Sequence, residues 1–152
     1  MLKNSKIPWS QRSFFYTSKK NEIMKILDKS DCLTQGLWLR KFQNKFIKFL
    51  NYKGSAFAMT SGASAIEIAA SLLRLKKYDE AIIPSHTYCA TALPFTRYNC
   101  QIRWADIVPE IFCIDINSIK KLITTKTKAI IAVHLYGFPC NILEIKKIFK
   151  YK

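Results

Sequence analysis

The alternation that begins at Ser55 restricts the fold of this chain more than any other feature. Short apolar runs of strand length lie near 55–59, 80–84, 101–105 and 128–133. Each precedes a stretch with helical spacing, near 63–76, 88–98, 115–123 and 141–150. Four strand-then-helix units in succession predict an α/β fold: a mostly parallel sheet, right-handed crossovers and flanking helices. Ligands of such sheets gather at the carboxyl ends of the strands. Before Ser55 the pattern differs. Lys19–Lys29 sets Ile23, Ile26 and Leu27 at helical spacing, and Ser30–Gly36 interrupts it. Leu37–Leu50 then places Leu39, Phe42, Phe46 and Phe49 on one face. Residues 1–18 show no period. The expected organisation is an N-terminal arm with helices over 1–52 and an α/β part over 53–152.

Three turns at strand ends carry the residues of chemical interest. Thr60-Ser61-Gly62-Ala63-Ser64 leads from an apolar run into a helix, which leaves free N–H groups at the positive end of the helix dipole. That suits a phosphate, although many capped helices hold no ligand, and the turn alone leaves both readings open. Pro84-Ser85-His86-Thr87-Tyr88-Cys89 follows the apolar Ala81-Ile82-Ile83. Tyr88 offers a flat face suited to a flat ligand, while a core aromatic at a helix start is the commoner role. The run from Thr127 to Gly137 reads as a buried strand ending in the turn His134-Leu135-Tyr136-Gly137. With two histidines and no H-E-x-x-H spacing, no metal site is expected. Asp79, Glu80 and Asp106 flank strands and read as turn and cap residues, and Asp115 reads as the N-cap of the helix starting at Ile116.

In this order the three motifs resemble those of the DegT/DnrJ/EryC1/StrS family, pyridoxal-phosphate (PLP) aminotransferases that make amino sugars on nucleotide carriers. The similarity is collinear from Ile7 to Ile148. It implies the N-terminal part of the large α/β domain of a fold-type-I PLP-dependent transferase, without the small C-terminal domain. It places Ser61, Gly62, Ala63 and Ser64 at the cofactor phosphate, mainly through the N–H groups of Gly62 and Ala63, and stacks Tyr88 on the pyridine ring. The family usually has Thr where Ala63 stands, so Ser64 offers the nearest hydroxyl. It often has Gln where Phe138 stands. His86 is expected to line the cofactor edge or pack against the turn. For His134 and Tyr136 a structural role is as open as a catalytic one.

The resemblance implies transfer of an amino group from glutamate to a nucleotide-linked keto-sugar, feeding a surface polysaccharide. It also implies a homodimer in which Gln35-Gly36-Leu37-Trp38 reaches the partner's site. In the family, the lysine that bonds to PLP and the aspartate facing the pyridine nitrogen follow the Val133–Gly137 motif. Both are expected beyond Lys152, so no catalytic residue is assigned here. The alternatives are an inactive remnant or one half of a split enzyme.

Composition narrows the partners. Lys and Arg total 25 against 10 Asp and Glu, a net charge of +15, which would suit a nucleic acid. The lysines, however, are scattered in pairs such as Lys19-Lys20, Lys76-Lys77 and Lys120-Lys121, which read as solvated faces of helices and turns. A basic nucleic-acid-binding protein is therefore the weakest reading. The five cysteines form no C-x-x-C pair, which argues against a disulfide framework or a zinc site and for a reducing cytoplasm. No apolar run approaches the roughly 18 residues needed to span a bilayer, so no membrane partner is expected.

Overall fold

The computed structural model describes residues 19–29 and 36–150. The aperiodic start, Cys32 and Gln35 lie outside the described residues. The chain divides into two compact units, 1–58 and 59–152.

In the first unit, helices α1 (Lys20–Asp28) and α2 (Leu37–Phe49) form where the helical spacing places them. Neither has a capping side chain, and neither buries a residue. On α2, Phe42 and Phe46 stack with ring centroids 6.0 Å apart, and Lys41 lies over the Trp38 ring at 4.5 Å.

The second unit holds the sheet. Its elements are α3 (Gly62–Leu72), β1 (Glu80–Pro84), a 3-10 turn (Cys89–Thr91), α4 (Leu93–Thr96) and β2 (Gln101–Ala105). They are followed by α5 (Ile116–Leu122), β3 (Thr127–Ile130), a second 3-10 turn (Leu135–Gly137) and α6 (Ile142–Lys150). The strands run parallel in the order β2-β1-β3. β1 is central and buried along its whole length, as a strand covered on both faces must be. Ala81 and Ile83 face one cluster with Ala70 and Phe95, brought by α3 and α4. Ile82 faces the other with Ile119 and Ile145, brought by α5 and α6. Fully burying an aliphatic side chain stabilises by about 1.5–3 kcal/mol, so these two layers carry most of what holds the unit together.

Three expectations change. Ser55–Met59 forms no strand: an apolar run of this length needs a paired neighbour, and none of the described residues supplies one. The single helix expected over 88–98 is a 3-10 turn and a short helix, because Pro94 has no N–H to give to an α-helical ladder. Glu80 is neither turn nor cap. It is the buried first residue of β1, where its carboxylate accepts hydrogen bonds from the hydroxyls of Thr124 and Thr127 (the latter at 3.4 Å), with Arg103 3.8 Å away. The β1–β3 register shifts beside it, skipping Lys128. Asp115 does cap α5, accepting from the Asn117 N–H at 2.9 Å, and Asp79 holds its turn by accepting from the Lys76 N–H at 2.7 Å.

Candidate functional site

Helix α3 starts at a turn rich in hydroxyls. Ser61 is the N-cap, with extended backbone, and its Oγ accepts from the Ser64 N–H at 3.1 Å. Ser64 Oγ lies 3.0 Å from Ser61 Oγ and 3.1 Å from Thr60 Oγ1. The hydroxyl that follows Ala63 therefore returns to the turn. Cap geometry accounts for Ser64, and the Ala65 N–H donates to the Ser61 carbonyl at 3.1 Å. The N–H groups of Gly62 and Ala63 have no acceptor among the described residues. A Cβ added at Gly62 would meet nothing within 4 Å, so the approach to these amides is open. An anion held there gains from two donors and from the helix dipole, worth about 0.3–1 kcal/mol at an exposed site.

The loop after β1 presents Tyr88, 75 % exposed, immediately before the 3-10 turn that packs against α3. Thr87 and Thr91 hydroxyls, 3.0 Å apart, pin the base of this loop. Tyr88 thus holds an exposed ring next in sequence to a turn that packs on the helix offering the free amides.

His86 takes a different place. Its ring meets Phe112 edge-on at 5.7 Å and Tyr136 at 6.1 Å; Phe112 and Tyr136 meet at 5.5 Å, and Phe138 adds a tilted ring 6.5 Å from Phe112. Edge-to-face is one of the arrangements that aromatic rings favour. Phe112 and Tyr136 have φ of 55° and 54°, a region that bulky residues avoid, and Gly137 follows at 87°. His134 Nδ1 accepts the Cys140 N–H at 2.9 Å, which ties the turn to the start of α6. Cys140 in turn donates to the Val133 carbonyl and Cys113 to that of Phe138. Burial, and after it the neighbouring Cys113 thiol, pushes the Cys140 pKa up to about 11. The aromatic cluster was not legible in the sequence. Phe112 sits between elements with no period to mark it, and Phe138 counted only as the loss of a polar contact.

Among the described residues no group of three or more His, Cys, Asp or Glu is placed to hold a metal, and no helix is long and apolar enough to cross a membrane.

A family model for the DegT/DnrJ/EryC1/StrS aminotransferases matches residues 16–152. The chain is 33% identical to the GDP-4-keto-6-deoxy-D-mannose 3-dehydratase of Escherichia coli O55:H7, over 83% of this chain and 34% of that protein. It is 32% identical to the GDP-perosamine synthase of Escherichia coli O157:H7, over 88% of this chain and 37% of the other. A crystal structure of GDP-4-keto-6-deoxymannose-3-dehydratase with a trapped PLP-glutamate geminal diamine superposes with a TM-score of 0.85 at 31% identity, covering 95% of this chain and 38% of that one. The chain therefore spans little more than a third of the length of the relatives it matches. Its fold is that of a partial large domain of fold-type-I PLP-dependent transferases, as the motifs led one to expect.

Proposed function

We propose, since this chain belongs to the DegT/DnrJ/EryC1/StrS aminotransferase family, that it is the phosphate-holding and ring-stacking part of a PLP-dependent enzyme of nucleotide-sugar metabolism. The whole enzyme would move an amino group from glutamate to a nucleotide-linked keto-sugar. GDP in the names of both relatives supports the nucleotide carrier, and the PLP-glutamate species in the related crystal structure supports the donor. One observation carries the reading: two amides without an acceptor among the described residues, Gly62 and Ala63, open a helix on which the turn following the exposed Tyr88 packs.

Each residue then has a task. The N–H groups of Gly62 and Ala63 donate to phosphate oxygens. The hydroxyls of Ser61 and Ser64, 3.0 Å apart, use one proton between them and leave the other to turn toward the same anion. Tyr88 covers one ring face and keeps water from it. PLP, when bound, supplies the electron sink that weakens bonds at the amino-bearing carbon. By the resemblance, the covalent lysine and the pyridine-facing aspartate belong to the part of the relatives outside the matched region. This chain thus binds and orients, and the proposed partners are a second copy and the remaining polypeptide, in the cytoplasm.

The test uses pyridoxine 5′-phosphate, which lacks the aldehyde and so cannot react with surface lysines. It should bind, and unphosphorylated pyridoxine should not. Tyr88→Ala should weaken binding about tenfold, the loss of roughly 1.4 kcal/mol of stacking and burial. Equal affinity for the two ligands, or an unchanged affinity in Tyr88→Ala, would defeat the assignment.

A further inference from the structure

Cys113 and Cys140 are far apart in sequence and together in the fold. Both are buried members of the cluster that covers the Ile82 face of β1. Cys113 stands in a hairpin, where Ile107 and Ile114 pair and the Val108 N–H donates to the Cys113 carbonyl at 2.8 Å. Cys140 stands between the turn after β3 and helix α6. The Cys113 thiol donates to the Phe138 carbonyl at 3.2 Å, and the Cys140 thiol to the Val133 carbonyl at 3.1 Å. Each proton is thus given to a carbonyl, and the two thiols are near enough to act on each other. The other described cysteines are placed differently. Cys89 is exposed on the 3-10 turn, and Cys100 belongs to the cluster on the opposite face.

The two thiols tie down the segments that carry the aromatic cluster. Phe112, at φ 55°, immediately precedes Cys113; Tyr136 at 54°, Gly137 at 87° and Phe138 stand just before Cys140. Backbone in this region persists only where its surroundings hold it. A disulfide has no S–H to donate, so oxidation takes the thiol donor from the carbonyls of Val133 and Phe138. It also joins the hairpin covalently to the turn. The rings of His86, Phe112, Tyr136 and Phe138, which meet across these segments, must then rearrange.

We propose that Cys113 and Cys140 form a reversible redox pair, closed by a small-molecule disulfide of the glutathione class, whose state sets the arrangement of the aromatic cluster. One protein thiolate attacks a sulfur of oxidised glutathione, which forms a mixed disulfide and releases one glutathione. The other protein thiolate attacks the protein sulfur of that bond, which forms the Cys113–Cys140 link and releases the second glutathione. The protein sulfurs lose two electrons, the glutathione sulfurs gain them, and the two protons leave on the released thiols. Exchange needs a thiolate, and burial followed by the Cys113 thiol pushes the Cys140 pKa up to about 11. The pair therefore reacts slowly, through openings of the turn. The inference needs no cofactor and stands apart from the phosphate site.

The test incubates the 152-residue chain to constant composition in mixtures of reduced and oxidised glutathione, then maps its cysteines by digestion and mass spectrometry. As the oxidised fraction rises, the Cys113 and Cys140 peptides should appear joined, about 2 Da lighter than their sum, and dithiothreitol should part them. Cys89, exposed, should take up glutathione at least roughly tenfold faster and stop at the mixed disulfide. The ring C2 proton of His86 should shift with the same midpoint as the link. In Cys140→Ala and Cys140→Ser, that proton should not respond to the oxidant. Mapping the parent chain keeps the test decisive even where a variant folds poorly. The proposal is overturned if Cys113 and Cys140 stay reduced, end as separate mixed disulfides or pair with other cysteines. A link that forms while the His86 proton stays where it was also overturns it.

Discussion

At the amino end of the sheet Glu80 is 4 % exposed, and its carboxylate collects the hydroxyls of Thr124 and Thr127 with Arg103 nearby. At the carboxyl end Tyr88 is 75 % and Tyr136 70 % exposed, the backbone at Phe112 and Tyr136 is in the left-handed region, and two amides of α3 await an acceptor. One end buries a polar group and satisfies it. The other leaves amides and rings facing solvent, open to a ligand, and holds two bulky residues at positive φ, a backbone cost. Stability should therefore depend on the first end and ligand affinity on the second.

The largest expected effect tests that division directly. Glu80→Ala removes the shared acceptor and leaves the buried Thr127 hydroxyl without it, for a loss of about 3 kcal/mol in urea unfolding. Glu80→Gln keeps an acceptor and should lose only about 1 kcal/mol. Tyr88→Ala, with its ring in solvent, should stay within about 0.5 kcal/mol of the parent. Comparable losses in Glu80→Ala and Tyr88→Ala would break the contrast between the two ends.

A smaller effect separates two glycines, both near the carboxyl end or its turns. Gly137 has φ of 87°, and Gly137→Ala should cost about 1 kcal/mol from the backbone alone, although nothing lies within 4 Å of the added Cβ. Gly62 also has open space but opens a helix, so Gly62→Ala should be neutral or stabilise by about 0.5 kcal/mol. Thermal unfolding of the two variants decides whether the cost at this end lies in the backbone conformation or in crowding.

The sequence announced what depends on local pattern. The helical spacing of Ile66, Ala69, Leu72 and Leu73 predicts α3, which ends at Leu72 with Leu73 as its C-cap, and Asp115 caps α5 because a carboxylate before a helix has a free N–H two residues on. β1 showed as a short apolar run. What depends on partners far along the chain did not show. Ser55–Met59 has the composition of a strand, but composition does not supply a neighbour. Glu80 precedes an apolar run as turn residues do, and only the return of Thr124 and Thr127, some 44 and 47 residues later, makes it a buried acceptor. Phe112 joins the aromatic cluster through a hairpin in which Val108 and Cys113 pair, a closure that no periodicity encodes. At the candidate site, the strand-length apolar runs before Ser61 to Ser64 and before Tyr88 drew attention to these residues, and only the resemblance to the family assigned them to a cofactor. Nothing in the sequence marked the rings that gather beyond them.

The smallest effect places one probe at each end. Burial, and then the charges of Asp79 and Glu80, pushes the Cys100 thiol up to about 11; burial, and then Cys113, does the same at Cys140 beside the His134 loop. Both native thiols keep their protons to higher pH than in the unfolded chain, where they titrate near their ordinary 9.0. Below that value both states are protonated and stability does not depend on these groups. Between about 9 and 11 the unfolded chain loses the protons first, so stability falls as pH rises. Urea midpoints at pH 7, 9 and 10.5 should show that decline. The difference from Cys100→Ala/Cys140→Ala isolates the thiols: the double variant should decline less steeply. If only one single variant reduces the slope, only that end of the sheet keeps its thiol dry, and an unchanged slope in the double variant would show that neither does.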